Sequence, residues 1–180
     1  MVTNSEMGQA DTGMPQVGDT WRETQWMRRV PWVVLVVAGL TLLNWLAFVQ
    51  QIVLGRPFGS NPGPDGPVLL LWLGFGIVFP LVFWQMRLTV EVSDETLLIR
   101  YVPLLRRSIL LSEIARVQAR QYNPILEYGG WGIRGWWRGR TIYSISGSQC
   151  VELELNDGRI LAIGSLRADE LASAITSRQV

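Results

Sequence analysis

The sequence contains no lysine, no histidine and only one cysteine, Cys150; all 16 of its basic residues are arginine. Without histidine there is no Ser-His-Asp triad, no Cys-His dyad and no HExxH zinc site. Without lysine there is no phosphate-binding P-loop lysine and no Schiff-base nucleophile. A lone cysteine builds neither a disulfide framework nor a cysteine metal site. Only carboxylates, hydroxyls, arginines and one thiol remain for chemistry, so neither enzymatic activity nor a cofactor nor a metal is expected. Charge is scarce too. Residues 87–180 carry 12 arginines against 10 acidic residues, a net of +2, too little for a nucleic-acid footprint.

What the chain does have is concentrated apolar sequence. Residues 30–54 begin VPWVVLVVAGLTLLNWLAFV, and no charge occurs for 26 residues between Arg29 and Arg56. Residues 68–86, VLLLWLGFGIVFPLVFWQM, are also uncharged. At 1.5 Å per residue, about 20 residues cross the roughly 30 Å hydrocarbon core of a bilayer. Neither block has the polar face of a soluble amphipathic helix, so the pattern predicts two transmembrane helices. The first is a poor signal peptide: 29 residues precede it, its apolar run is too long, and no small-x-small site follows. Between the blocks, 8 of the 13 residues from Gly55 to Pro67 are Gly or Pro, which predicts a turn-back loop. Pro80 predicts a kink inside the second helix, where it removes a backbone bond. Gly39, Gly74 and Gly76 would permit close helix contact, or are ordinary membrane glycines.

Arginine placement sets the expected orientation. Arg22, Arg28 and Arg29 precede the first helix, Arg87, Arg100, Arg106 and Arg107 follow the second, and the loop has only Arg56, offset by Asp65. The positive-inside rule then puts both termini in the cytoplasm, with Trp32 and Trp84 at the same interface. A cytoplasmic location also suits a reduced thiol.

Residues 1–29 read as a disordered and juxtamembrane segment: 1–20 are small and polar, and 20–29 form a surface lead-in or a plain anchor. Residues 87–180 read as one domain. Period-two alternation at 88–92, 96–101, 106–111, 116–122, 141–146, 150–155 and 159–163 predicts about seven half-buried antiparallel strands, with Asn156-Asp157-Gly158 as a hairpin turn. Val151, Leu153 and Leu155 face inward; Cys150 is out of phase with them and should be half exposed. Glu152 and Glu154 read as outward charges rather than a catalytic pair. The final segment predicts a helix N-capped by Ser165, with Asp169 and Glu170 in its first turns and Leu171, Ala174 and Ile175 on one apolar stripe. The fold class is α+β: a helical hairpin, then a small bent sheet or barrel covered by a C-terminal helix.

The order of these strands, the VEVSDETLLIRY start, the LLRRSILLSEIARVQ step and the closing helix resemble bacterial PH-like domains. The YNPILEYGGWGIR stretch (residues 122–134) with LNDGRILAIGS resembles an uncharacterised bacterial membrane family of this layout, over roughly residues 30–180. The resemblance implies a transmembrane helical hairpin followed by a PH-like antiparallel β barrel or sandwich in the bacterial cytoplasmic membrane. It implies no activity. The acidic turn Ser93-Asp94-Glu95 lies where lipid-binding PH domains carry a basic phosphoinositide motif, so that activity is not carried over.

One segment stands out. Asn123–Arg140, NPILEYGGWGIRGWWRGR, combines five glycines, three tryptophans and three arginines, and from Arg116 to Arg140 five arginines face Glu127 alone. Its Gly130, Gly132 and Gly135 match GxGxxG spacing, but outside any βαβ unit. The candidate interaction residues are Tyr128, Trp131, Arg134, Trp136, Trp137, Arg138 and Arg140. Three readings stand: the tryptophans and arginines meet the lipid bilayer at its headgroups; the loop binds a protein partner or a second copy in a homo-oligomer; or Tyr128 and Trp131 fold inward, Glu127 pairs with an arginine, and the loop is scaffold. The alternative to an interaction module is an accessory or structural subunit whose transmembrane helices form the main interface of a membrane complex.

Overall fold

The computed structural model describes residues 20–135 and 139–179. Helix α1 runs Pro31–Val53 and helix α2 Asp65–Gln85, 23 and 21 residues with a mean hydropathy of 2.2 each. At 1.5 Å per residue both exceed about 30 Å, long and apolar enough to cross a membrane. Each starts beside a proline, Pro31 at the first position of α1 and Pro67 within the first turn of α2, where the missing N–H costs nothing. Helix α2 therefore begins at Asp65, inside the Gly/Pro-rich stretch.

The effect of Pro80 is specific. The helix widens over Trp72–Val78, where Phe79 N–H donates to the Gly74 carbonyl five residues back. Pro80 has no N–H for the carbonyl four residues back, that of Gly76. The Trp45 indole on α1 donates to that carbonyl instead, at 3.1 Å. A backbone group freed by proline is thus satisfied by the neighbouring helix. Gly76 makes room for this: a Cβ there would stand 3.0 Å from the Trp72 ring, whereas Gly39 and Gly74 face open space.

The β module holds nine strands among the described residues: β1 Trp21–Trp26, β2 Arg87–Val92, β3 Thr96–Val102, β4 Leu105–Leu110, β5 Ile114–Gln121, β6 Gly132–Arg134, β7 Arg140–Ser144, β8 Gln149–Leu155 and β9 Ile160–Gly164. Strands β1-β2-β3-β4 form an antiparallel meander, and β5-β8-β9-β7-β6 a second sheet. The second sheet is mixed rather than purely antiparallel, because β7 runs parallel to β9. One core joins the sheets: Leu88, Val90, Leu97 and Ile99 from the first meet Val151, Leu153, Leu161 and Ile163 from the second. A short helix, α3, spans Pro124–Tyr128, and helix α4, Ala168–Thr176, adds Leu171 and Ile175 to the core. The architecture is α+β, as the alternation and closing stripe predict. Helix α4 starts later than expected, with Arg167 rather than Ser165 at its N-cap.

The largest correction concerns residues 21–26. They form strand β1, paired along its length with β2 from Trp21↔Val92 to Trp26↔Arg87, rather than a disordered segment or an amphipathic lead-in separate from the β module. The ladder continues past the strands, with Met27 N–H donating to the Met86 carbonyl at 3.1 Å. The β module thus includes residues from both sides of the helices, and the helical hairpin is an insertion between two adjacent antiparallel strands. The alternation hides this because it is inverted: β1 buries Glu23 and Gln25 and exposes Arg22. The Glu23 carboxylate accepts from the Ser165 hydroxyl, the Leu166 N–H and the Gln25 amide, so it is buried with its lone pairs engaged. The expected disorder of residues 1–19 lies outside the described residues.

Candidate functional site

The Tyr122–Gly135 segment folds over the outer face of the mixed sheet. It opens with a one-turn helix, α3, Pro124–Tyr128. Asn123 caps it, accepting from Ile125 and Leu126 N–H at 3.1 Å each, and Asn123 N–H donates to the Glu127 carboxylate at 2.8 Å. Gly129, at φ 73°, closes it in the left-handed region where a Cβ is penalised. Every cap is in the sequence; a single turn has too little periodicity to reveal the helix.

Helix α3 positions two candidate groups. Tyr128 packs edge-on against Tyr122, ring centroids 5.8 Å apart, over a small second core of Tyr122, Ile142, Cys150 and Ala162. Burial raises the pKa of both phenols. Cys150 is therefore fully buried, not half exposed, because this segment covers the face it occupies. The chain returns at Gly135, φ 81°, where a Cβ would lie 2.5 Å from the Arg140 carbonyl oxygen and 3.3 Å from the Tyr128 ring. No other residue fits that approach.

Glu127, the second group, faces Arg120. The Arg120 guanidinium spans Glu127 at 2.9 Å and Glu152 at 2.8 Å, and Arg140 meets the same Glu152 oxygen at 3.0 Å. Burial opposes the Arg120 charge, but its hydrogen bonds to Glu152 and Glu127 outweigh that and hold its pKa above the ordinary arginine value. The Glu127 carboxyl is held below its usual range, first by the Asn123 N–H and then by Arg120. Arg140 is thus tied to the sheet surface rather than presented alone. Glu154 is exposed and Glu152 half-buried in this network.

Trp131 goes elsewhere. Its indole N–H donates to the Gly147 carbonyl at 2.9 Å, and its ring lies 5.9 Å from that of Trp32 in the first turn of α1. It joins the β7–β8 turn to the base of the helical hairpin. Arg134, exposed on β6, donates to the Trp131 carbonyl at 3.3 Å. The structure thus gathers Tyr128, Glu127 and Arg140 with Arg120 on the sheet's outer face and sends Trp131 to the helices. Trp136, Trp137 and Arg138 lie outside the described residues.

The joint between module and helices is itself aromatic and basic. Arg28 lies over the Trp26 ring at 4.1 Å and near Trp84 at 5.4 Å, and Arg87 lies over Trp26 at 5.0 Å. Such cation–π contacts are each worth about 0.5–1 kcal/mol when exposed. Trp32 and Trp84 sit at this same end. Among the described residues no group of three His, Cys, Asp or Glu side chains could hold a metal ion.

Fold and site together define a class: a two-sheet β module with a C-terminal helix, interrupted between adjacent strands by a hairpin of two apolar, membrane-length helices. The chain belongs to DUF6141, a family of unknown function, which it matches over residues 12–179. No curated protein and no solved structure matches it.

Proposed function

We propose that this protein is a membrane-anchored interaction module without catalytic activity. On this reading α1 and α2 cross the bacterial cytoplasmic membrane with both ends of the hairpin in the cytoplasm, and the β module is PH-like. The Tyr128–Arg140 segment then meets lipid headgroups or a protein partner. The observation that carries the reading is the packing of Trp131 on Trp32. A residue of the Gly/Trp/Arg segment touches the first turn of a membrane-length helix, so the segment would stand at the bilayer surface. The arginines at the joint, Arg28, Arg29 and Arg87, support the cytoplasmic orientation. The two-sheet core with its closing helix supports the PH-like comparison.

The test uses the full chain in its native membrane, with a photoreactive amino acid at Arg134, Trp136 or Trp137. Crosslinks to lipid or to a protein are expected. If none of these positions yields an adduct while a control in α1 crosslinks lipid, the segment is scaffold and the reading fails.

A second reading is an accessory subunit of a membrane complex whose helices are the main interface. It is favoured by an open apolar groove of about 380 Å³ between α1 and α2, lined among others by Val34, Thr41, Trp45, Pro80 and Phe83. Crosslinks from Thr41 to another protein, with none from the Gly/Trp/Arg segment, would select it.

A further inference from the structure

Outside the two helices, a tight turn exposes two leucines. Leu104 is 63% exposed and Leu105 37%, at the tip between β3 and β4. Leu104 N–H donates to the Tyr101 carbonyl at 2.7 Å, closing the turn. Pro103 is an ordinary turn residue, but the two adjoining leucines extend the tip into a contiguous exposed apolar patch.

The strand register says where the tip points. Val102, the last residue of β3, is paired with Arg87, the first residue of β2. Arg87 follows the end of α2 at Gln85 by two residues. The turn therefore lies at the end of the sheet from which the helices leave, level with the residues joining α2 to the module. The far end of the module holds the β2–β3 turn instead.

The charge beside the tip points to an anion. Arg106 lies directly across from Arg100, and like charges facing each other across strands are destabilising. Arg100 has Glu91 at 3.6 Å, but Glu91 is shared with Arg22. Among the described residues Arg106 has no ion pair or side-chain hydrogen bond. Arg28 and Arg29 are exposed at the same end. Apolar tip and unneutralised arginine together match one surface, the boundary between acyl chains and phosphates.

We propose that the β3–β4 turn is a second membrane contact: Leu104 and Leu105 enter the headgroup–acyl boundary of the bilayer crossed by α1 and α2, and Arg106 takes a lipid phosphate. This rests on the reading of α1 and α2 as membrane-spanning. With the helices at one side and the turn at another, the β module would be held at a fixed tilt against the membrane.

The test is spin-label depth measurement on the full chain in lipid nanodiscs, with Cys150→Ala as background. Labels go at Leu104→Cys, at Leu43→Cys in α1 and at Ser112→Cys at the far end of the module. Leu104 is 63% exposed, so its replacement is expected to leave the fold intact, and Leu105→Cys gives an independent second position. Labels at 104 and 105 are expected to show several-fold greater accessibility to oxygen than to a water-soluble nickel chelate, relative to position 112. With phosphatidylglycerol present they should sit deeper than in phosphatidylcholine alone, and Arg106→Gln should remove that difference. An immersed label at 43 with water-like labels at 104 and 105 overturns the docking proposal alone. A water-like label at 43 overturns the membrane reading, and this proposal with it.

Discussion

Cys150 lies one step out of phase with Val151, Leu153 and Leu155, and on an open sheet it would face water. The Tyr122–Gly135 segment covers that face, and burial pushes the thiol up to about 11. Almost no thiolate then exists at neutral pH. The native chain should resist a thiol reagent such as Ellman's reagent, then react at once in denaturant; rapid stoichiometric labelling of the native protein would contradict the burial. Glu23 makes the complementary case. Its carboxylate gathers donors from Gln25, Ser165 and Leu166, so Glu23→Ala strands buried donors and should cost about 1–3 kcal/mol. Reversible unfolding in detergent measures this, with exposed Glu154→Ala as the control expected to stay within about 0.5 kcal/mol.

Among elements, α2 and β1 diverge most from what local patterns predict. In α2 the proline effect is absorbed by a wide turn and by Trp45 reaching across to the Gly76 carbonyl. Gly76→Val should therefore destabilise the hairpin, since its Cβ meets Trp72, while Gly39→Val and Gly74→Val should be tolerated in open space. Thermal aggregation in detergent ranks the three, and equal behaviour would refute the assignment. Trp45→Phe should lose about 0.6 kcal/mol, the average interhelical hydrogen bond in membranes. In β1 the buried side chains are polar, so the alternation carries the wrong sign. Only the β2 edge and the Ser165–Leu166 junction explain why WRETQW is a strand.

For the whole molecule, the inserted hairpin changes what counts as the domain. Residues 87–180 alone lack β1, leave the β2 edge unpaired and leave the junction without Glu23. That fragment should aggregate or populate a loosely packed state. A chain in which a two-residue Asn-Gly turn replaces residues 27–86 joins Trp26 to Arg87 directly, in the register they already share. It should be soluble and unfold cooperatively, as followed by near-ultraviolet circular dichroism. If both fragments fold equally well, β1 is dispensable and the insertion view is wrong. Pairing at both ends of the hairpin also means the module is not on a flexible tether: helix tilt and sheet orientation are mechanically linked.

The sequence by itself determined the two apolar helices, the α+β class, most strands and the buried stripe of α4. Each of these depends on local periodicity or length, which survives in one dimension. It also marked Asn123–Arg140 as unusual, through composition. Only the tertiary structure decided that β1 closes the first sheet, that β7 and β9 are parallel, and that Cys150 is buried. It alone sent Trp131 to Trp32 and Arg140 to Glu152. These depend on which distant segment covers a face or supplies a partner, and a polar residue buried by a partner 142 positions away, as Glu23 is by Ser165, leaves no trace in its neighbours.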